Sequence, residues 1–238
     1  MPLLVAAVVI VAAVLLIGWL QDQKLLRRGR QLQRQAEALG YTYGEKGDAR
    51  LTDQAGRFLL FTQGRSGSAT NLLRGTRTAG SDTETVAELF DYTFSEPLGR
   101  YDRNWQQSVV RLTDDSLDLP PFSVMPDPVL DAMLEHARDP QLTERLAGTA
   151  GIRFRDHPEF TKQMHLQSRD RRATRALFGP DLIAFFEDHP DLSLEAAGPY
   201  LLLYRFETLF GPKDTAALLD EALTIHDLIA SAAADEDA

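Results

Sequence analysis

The residue types that could do chemistry are scattered along this 238-residue chain, and the densest group lies in Gly64–Asn71. The segment reads GRSGSATN, and a glycine-rich turn with successive free N–H groups can cradle a phosphate. It lacks the lysine of a Walker loop and the glycine spacing of a nucleophile elbow. Two interpretations stay open: a hairpin turn after a strand over Phe58–Phe61, or a contact for an anion or partner through Arg65, Ser66 and Ser68.

A second group is basic and surrounds the start of a helix that we expect Ser168 to cap. Its members are Arg169, Arg171, Arg172 and Arg175. Arginine at a helix N-terminus opposes the helix macrodipole, while guanidinium groups suit phosphates, lipid head groups and acidic proteins. The group is either a solvated face or a contact for such a partner.

Two further groups lack the spacing of a metal site. His157, Glu159 and His165 form no His-Glu-x-x-His motif. Glu159 and His165 have the parity to share one face of a strand, but a zinc site needs three or four converging ligands. A turn of three carboxylates, which we expect to be solvated, lacks the twelve-residue calcium loop: Asp114, Asp115 and Asp118. We expect no metal and no other cofactor. Without cysteine the chain has neither disulfides nor thiolate chemistry. The motifs described above favour a role other than catalysis.

The N-terminus carries the most specific signal in the chain. Residues 3–20 read LLVAAVVIVAAVLLIGWL without a charge, and a helix of this length spans about 27 Å, close to the hydrocarbon thickness of a bilayer. Trp19 lies at the end of this run, where interfacial aromatic residues belong. We therefore expect a single-pass membrane anchor; the start Met1-Pro2 and the absence of a small-residue cleavage site disfavour a cleaved signal peptide.

The residues after the anchor predict its orientation. Five basic side chains follow it on a predicted helical stem that Gly40 ends: Lys24, Arg27, Arg28, Arg30 and Arg34. The positive-inside rule places this flank, and the domain behind it, on the cytoplasmic side of a bacterial inner membrane. The basic residues either fix topology alone or also face anionic lipid.

Charge is distributed unevenly. Residues 21–39 carry a net +3, so with a total of −10 the rest of the chain carries −13. An acidic body argues against nucleic acid as a partner, because that contact needs cationic surface. The expected partners are the bilayer, through residues 3–20, and a protein.

Positioning elements are predicted from hydrophobic periodicity. Alternation over Val86–Phe94 and the return over Trp105–Leu112 indicate a hairpin, with a further edge segment over Phe122–Met125. Later segments predict helices from Asp127-Pro128, after Ser168, after Gly179-Pro180 and after Gly211-Pro212, a short one over 142–146, a strand over Phe160–Leu166, and a closing hairpin around Gly198-Pro199. The expected fold is α+β, an antiparallel sheet with helices packed on one face.

These elements give a domain plan. Residues 1–20 are the anchor, 21–40 the basic stem, 41–230 the cytoplasmic α+β domain, and 231–238 an acidic tail. The domain forms either one body or two lobes split near 126–150.

Several segments resemble a group of uncharacterised bacterial membrane-anchored proteins with a domain of unknown function. The matching segments are Leu59–Arg65, Ala69–Gly75, Leu89–Tyr92, Gln107–Val110, Leu119–Phe122, His157–Phe160, Arg175–Leu182 and Tyr200–Leu203. The resemblance covers most of residues 20–210 and implies architecture and topology; no activity comes with it.

Together these observations favour a cytoplasm-facing interaction or accessory module of a membrane complex. The alternative is a hydrolase, or a protein that binds an anion or lipid head group, built on Gly64–Asn71.

Overall fold

The computed structural model describes residues 2–47, 51, 57–78, 84–98, 100–136 and 151–236, with only the side chains of Leu16 and Trp19 before Gln23. Its strands form one antiparallel sheet in the order β1-β2-β3-β4-β8-β7-β5-β6. They are β1 Thr42–Lys46, β2 Arg65–Thr78, β3 Glu84–Leu98, β4 Tyr101–Thr113, β5 Leu119–Pro126, β6 Met164–Ser168, β7 Ser193–Gly198 and β8 Tyr200–Tyr204. The α-helices are α1 Pro2–Leu39, α2 Asp127–His136, α3 Pro158–Gln163, α4 Arg171–Leu177, α5 Pro180–Asp188 and α6 Thr215–Glu236.

The α+β class is confirmed, and the strand alternation explains how the sheet divides its core. In β3, Ala87 and Leu89 face one side, whereas Phe90, Tyr92 and Phe94 face the other. Because both sets are buried, β3 lies between two hydrophobic layers.

The first layer holds most of the helices. α1 contributes Leu32 and Ala36, which are 1% and 0% exposed, and α6 contributes the inward residues Leu218, Ile225 and Ile229. This layer is the helix-covered face of the sheet that the sequence predicts, and the predicted amphipathic final helix packs in it.

The second layer corrects the prediction that helices pack on one face only. Leu130 and Met133 of α2 lie here, on the side opposite α6, together with Leu51 and Phe58–Phe61. Aromatic rings fill the space: Phe61 packs edge-on against Tyr92 at 5.1 Å between ring centroids. A sheet with apolar residues on both faces must be covered on both.

The predicted strand over Phe58–Phe61 is wrong: Leu60–Thr62 is a 3₁₀ turn. A short apolar run does not distinguish a strand from a buried turn. The backbone N–H groups of Leu59 and Leu60 donate to the carboxylate of Glu195 in β7, a partner that local sequence does not reveal.

Two later predictions also change. Phe160 belongs to α3, because Pro158 at the first turn starts a helix, and the strand begins only at Met164. The predicted edge segment over Phe122–Met125 is an interior strand, since β5 pairs with both β6 and β7. A register shift between Leu119 and Phe122 spans the two prolines there.

Other elements are confirmed: the β3–β4 hairpin, the β7–β8 hairpin, and α2 starting at Asp127. The strands on either side of residues 137–150 belong to the same sheet. The predicted helix over 142–146 lies outside the described residues.

α1 is one helix from Pro2 to Leu39, and residues 21–39 of the predicted stem lie within it. Over the part of the chain that the structure describes, no helix has both the length and the hydropathy needed to cross a membrane. The anchor over residues 3–20 falls largely on side chains outside the described set and stays a prediction.

Candidate interaction site at the stem junction

The feature that best explains how this molecule is organised is the junction between α1 and the sheet. Asp91 lies in the middle of β3 on the α1 side and is 5% exposed. A carboxylate buried there requires a cation or several hydrogen-bond donors, because an unpaired buried charge is costly.

Arg28 of α1 supplies the cation. Its Nε donates to Asp91 Oδ2 at 2.8 Å and its Nη2 donates to Asp91 Oδ1 at 2.7 Å, a bidentate pair. Its Nη1 donates to the Phe210 carbonyl at 2.7 Å, and Nη2 also reaches Ser108 Oγ at 3.3 Å. One side chain therefore joins α1, β3, β4 and the segment before α6.

The remaining acceptor capacity of Asp91 is used by neighbouring strands. Asn71 Nδ2 donates to it at 2.9 Å from β2, and Ser108 Oγ donates at 2.9 Å from β4. Asn71 Oδ1 in turn accepts from Tyr43 Oη at 2.8 Å. The junction, defined as Tyr43, Asn71, Asp91, Ser108 and Arg28, is a connected polar network around one carboxylate.

Local backbone features let the network close. Asn71 has φ +53°, a left-handed conformation that asparagine tolerates, beside a register shift between Thr70 and Leu73. Gly29 lets α1 approach closely, since a Cβ there would lie 2.9 Å from Tyr43 Oη.

This geometry corrects one predicted residue. Arg28 does not face lipid: its side chain is 17% exposed and is paired with Asp91. The sequence holds a signal for it, because Arg28 lies three residues after Leu25 and four before Leu32, on the apolar stripe of the stem. The other four, Lys24, Arg27, Arg30 and Arg34, are exposed, and lipid contact through them stays a prediction.

The Gly64–Asn71 segment is not a hairpin turn. From Arg65 onward it is part of β2, with irregular register against β3. Arg65, Ser66 and Ser68 are exposed, and within the described residues neither serine forms a side-chain hydrogen bond with a histidine or carboxylate. Among the described residues these serines therefore have no hydrogen-bonded base, and partner contact through Arg65, Ser66 and Ser68 stays a prediction.

The arginine group is partly used within the fold. Asp170, not Ser168, caps α4 by accepting from Ala173 N at 3.0 Å. Arg171 and Arg175 donate to the carbonyls of Gly151 and Arg153, at 3.4 and 3.0 Å. The remaining pair, Arg169 and Arg172, is exposed.

The histidines do not converge. His157 Nδ1 lies 4.0 Å from Glu187 Oε1, and His165 Nδ1 lies 3.4 Å from Asp127 Oδ1, so each has a different acidic neighbour. Among the residues described, no group of three or more candidate ligands could hold a metal ion.

One member of the predicted solvated carboxylate turn is instead buried. Asp114 is 1% exposed and its Oδ2 lies 2.8 Å from His226 Nε2 of α6. Burial alone would raise the pKa of Asp114, but hydrogen bonds from Ser116 and His226 outweigh it and hold that pKa below its usual value. The pairing joins residues 112 positions apart, so spacing could not reveal it.

A second buried carboxyl, Glu195, was also not predicted. Burial raises its pKa to about 7, against the opposing hydrogen bonds from Tyr204 Oη and from the Leu59 and Leu60 N–H groups. Tyr204 Oη donates to Glu195 Oε1 at 2.8 Å. Because the group is enclosed in the second layer, its role is to hold the 3₁₀ turn against the sheet.

Comparison with known proteins shows a similarity in fold only. Neither models of protein families nor curated proteins match the chain. Among solved structures, the crystal structure of the mycobacterial trehalose monomycolate transport factor A, TtfA, is similar, with a TM-score of 0.51 and 12% sequence identity. The match covers 84% of this chain and 94% of that chain, and at this identity it concerns the fold.

Proposed function

We propose that this chain is a single-pass protein of a bacterial inner membrane whose cytoplasmic domain is an accessory, protein-binding module of a membrane complex. The observation that carries the proposal is the junction. α1 runs unbroken from Pro2 to Leu39, and Arg28 fastens it to Asp91. A predicted anchor that is also a packed element of the domain suits a protein that presents a surface at a membrane.

The fold it shares with a transport factor supports a transport role for that complex. TtfA is described as a trehalose monomycolate transport factor, and the match spans nearly that entire chain. The resemblance to uncharacterised membrane-anchored proteins agrees with this placement. The cargo is not part of the proposal, since a shared fold does not transfer a ligand.

The partner would meet exposed side chains of the body. Candidates on two separate surfaces are Arg65, Ser66 and Ser68 on β2, and Arg169 and Arg172 beside α4. An acidic patch on the partner would complement either one.

Site-specific photocrosslinking in native membranes tests the proposal. A photoreactive residue replaces Arg169 in one full-length variant and Arg65 in another. We expect one discrete adduct with an integral membrane protein, from at least one of them, in a fraction that resists carbonate extraction. Arg28→Ala should weaken the adduct by releasing α1 from the sheet. Arg27→Ala, one residue away and exposed, is the matched control.

Three results would contradict the proposal: extraction of the chain by carbonate, recovery of the chain without an adduct from positions 65 and 169 alike, or equal adduct yields in the two arginine variants.

A further inference from the structure

The exposed large apolar side chains of this protein are not scattered. Wherever side chains are described, they come from three segments: the N-terminal part of α1, the tip of the β3–β4 hairpin, and the loop before Phe210. They are Leu16, Trp19, Leu25, Leu26, Leu98, Tyr101 and Leu209. Isolated exposed apolar residues are ordinary, but a segregated set marks a contact surface.

The three segments lie at one end of the sheet, here called the proximal end. The loop before Phe210 adjoins the hairpin there, since Glu207 Oε2 lies 3.6 Å from Arg103 Nη2 of β4. The ring of Tyr41, just after α1, lies against Gly75, which pairs with Ala87 in β3. Arg28, farther toward the N-terminus of α1, binds Asp91. Moving toward the start of α1 therefore means moving toward the C-terminal end of β3, where the hairpin tip lies.

The hairpin tip projects beyond the sheet. The last pair between β2 and β3 is Arg65 with Ser95, and β8 pairs with β4 only from Val109 onward. Beyond them the ribbon has two strands, and Leu98 lies directly opposite Tyr101. Opposed residues share a face, so these two side chains, 68% and 79% exposed, form one apolar pair.

The ribbon is long enough to meet a membrane that holds the predicted anchor. From Arg28 to Trp19, α1 rises ~14 Å, and from Asp91 to Leu98, β3 extends ~23 Å. The tip thus reaches the level of Trp19 for any angle between helix and strand up to about 50°.

We propose that Leu98 and Tyr101 insert into the interface of the bilayer that holds α1, giving the domain a second membrane contact. This rests on the proposed membrane anchorage. Tyrosine and leucine suit the interfacial region, and two contact points fix the tilt of a body that a single helix would leave free. The charges of the tip cancel: Arg100 and Arg103 offset Glu96 and Asp102. The contact is therefore apolar, independent of anionic lipid and insensitive to salt.

The chain has no cysteine, so a single engineered thiol can report on the tip. Full-length Leu98→Cys carries an environment-sensitive fluorophore and is reconstituted into phosphatidylcholine vesicles, with or without anionic phosphatidylglycerol. We expect blue-shifted emission and quenching by acyl-brominated lipid, unchanged by anionic lipid or high salt. Thr76→Cys is the control: it is exposed and pairs with Val86, ~40 Å along β3 from Leu98.

The outcomes separate the two proposals. Carbonate extraction of the chain would overturn the anchor itself. Retention in vesicles with a label at position 98 that stays in water would overturn the tip contact alone. A label that is shielded only in native membranes would assign the tip to a protein, and equal quenching at positions 98 and 76 would also contradict the proposal.

Discussion

Arg28 and Arg27 are adjacent, chemically identical and opposite in environment. Arg27 is exposed, whereas Arg28 is enclosed between α1 and the sheet. Composition and charge count treat them alike, so the sequence predicts one basic group that either fixes topology alone or also faces lipid. The helical position of Arg28, four residues before the buried Leu32, distinguishes it from Arg27, because residues at this spacing lie on one face of a helix.

Arg28 and Arg27 should contribute very differently to stability. Arg28→Ala leaves Asp91 buried without its cation and should lower the free energy of unfolding by about 2–4 kcal/mol. Arg27→Ala should change it by less than about 0.5 kcal/mol, as exposed substitutions usually do. Urea unfolding of the full chain in mild detergent measures both, and equal effects would contradict the geometry.

Glu195 gives a pH prediction whose sign follows from its raised pKa. The folded protein holds this proton up to about pH 7, while an unfolded chain releases it near pH 4.5. The stabilising contribution is therefore full below pH 4.5 and is lost as the pH rises through 7, a change of about 3 kcal/mol. Glu195→Gln cannot titrate, so its stability should vary less between pH 5 and 8. Melting temperature measured against pH checks this, and the same pH dependence in both proteins would contradict the prediction.

At the level of elements, sequence periodicity was reliable where a segment is long and regular. The β3–β4 hairpin and α6 follow this rule. It failed at residues whose contacts are distant in sequence: the N–H of Leu60 in the Leu60–Thr62 turn donates to Glu195, and Asn71 of β2, with its left-handed backbone, donates to Asp91. The junction combines five elements or segments, and a sequence without known contacts does not bring them together.

Gly29 gives a prediction with opposite signs in two backgrounds. Helix propensity alone predicts that Gly29→Ala stabilises α1 by about 1 kcal/mol. A Cβ there would lie 2.9 Å from Tyr43 Oη, so we expect Gly29→Ala to destabilise the wild-type protein. In Tyr43→Phe, which lacks that oxygen, the same change should stabilise. A double-mutant cycle by urea unfolding checks this, and additive effects would rule out the contact.

For the whole molecule, the separation of charge gives a topology prediction. Replacing Lys24, Arg27, Arg30 and Arg34 by glutamine removes the cationic flank and spares the Arg28 junction. We expect part of the population to invert, measured with a C-terminal phosphatase reporter that is active only outside the cytoplasm. The control removes as many charges from the body, at Arg169, Arg171, Arg172 and Arg175. If the control inverts as much of the population as the stem variant does, loss of the stem charges is not the cause of inversion.

The unbroken course of α1 into the junction has a rotational consequence. If the helix that crosses the membrane is the helix that packs on the sheet, its azimuth sets which side of the domain faces a neighbour in the bilayer. Each alanine inserted between Leu20 and Lys24 would turn the domain by about 100° and lift it by about 1.5 Å. Complex formation should therefore oscillate with insertion length, falling after two residues and recovering after seven, which a flexible tether would not produce. Crosslinking yield measured across such a series would show whether complex formation depends on the rotation of the domain about the helix axis.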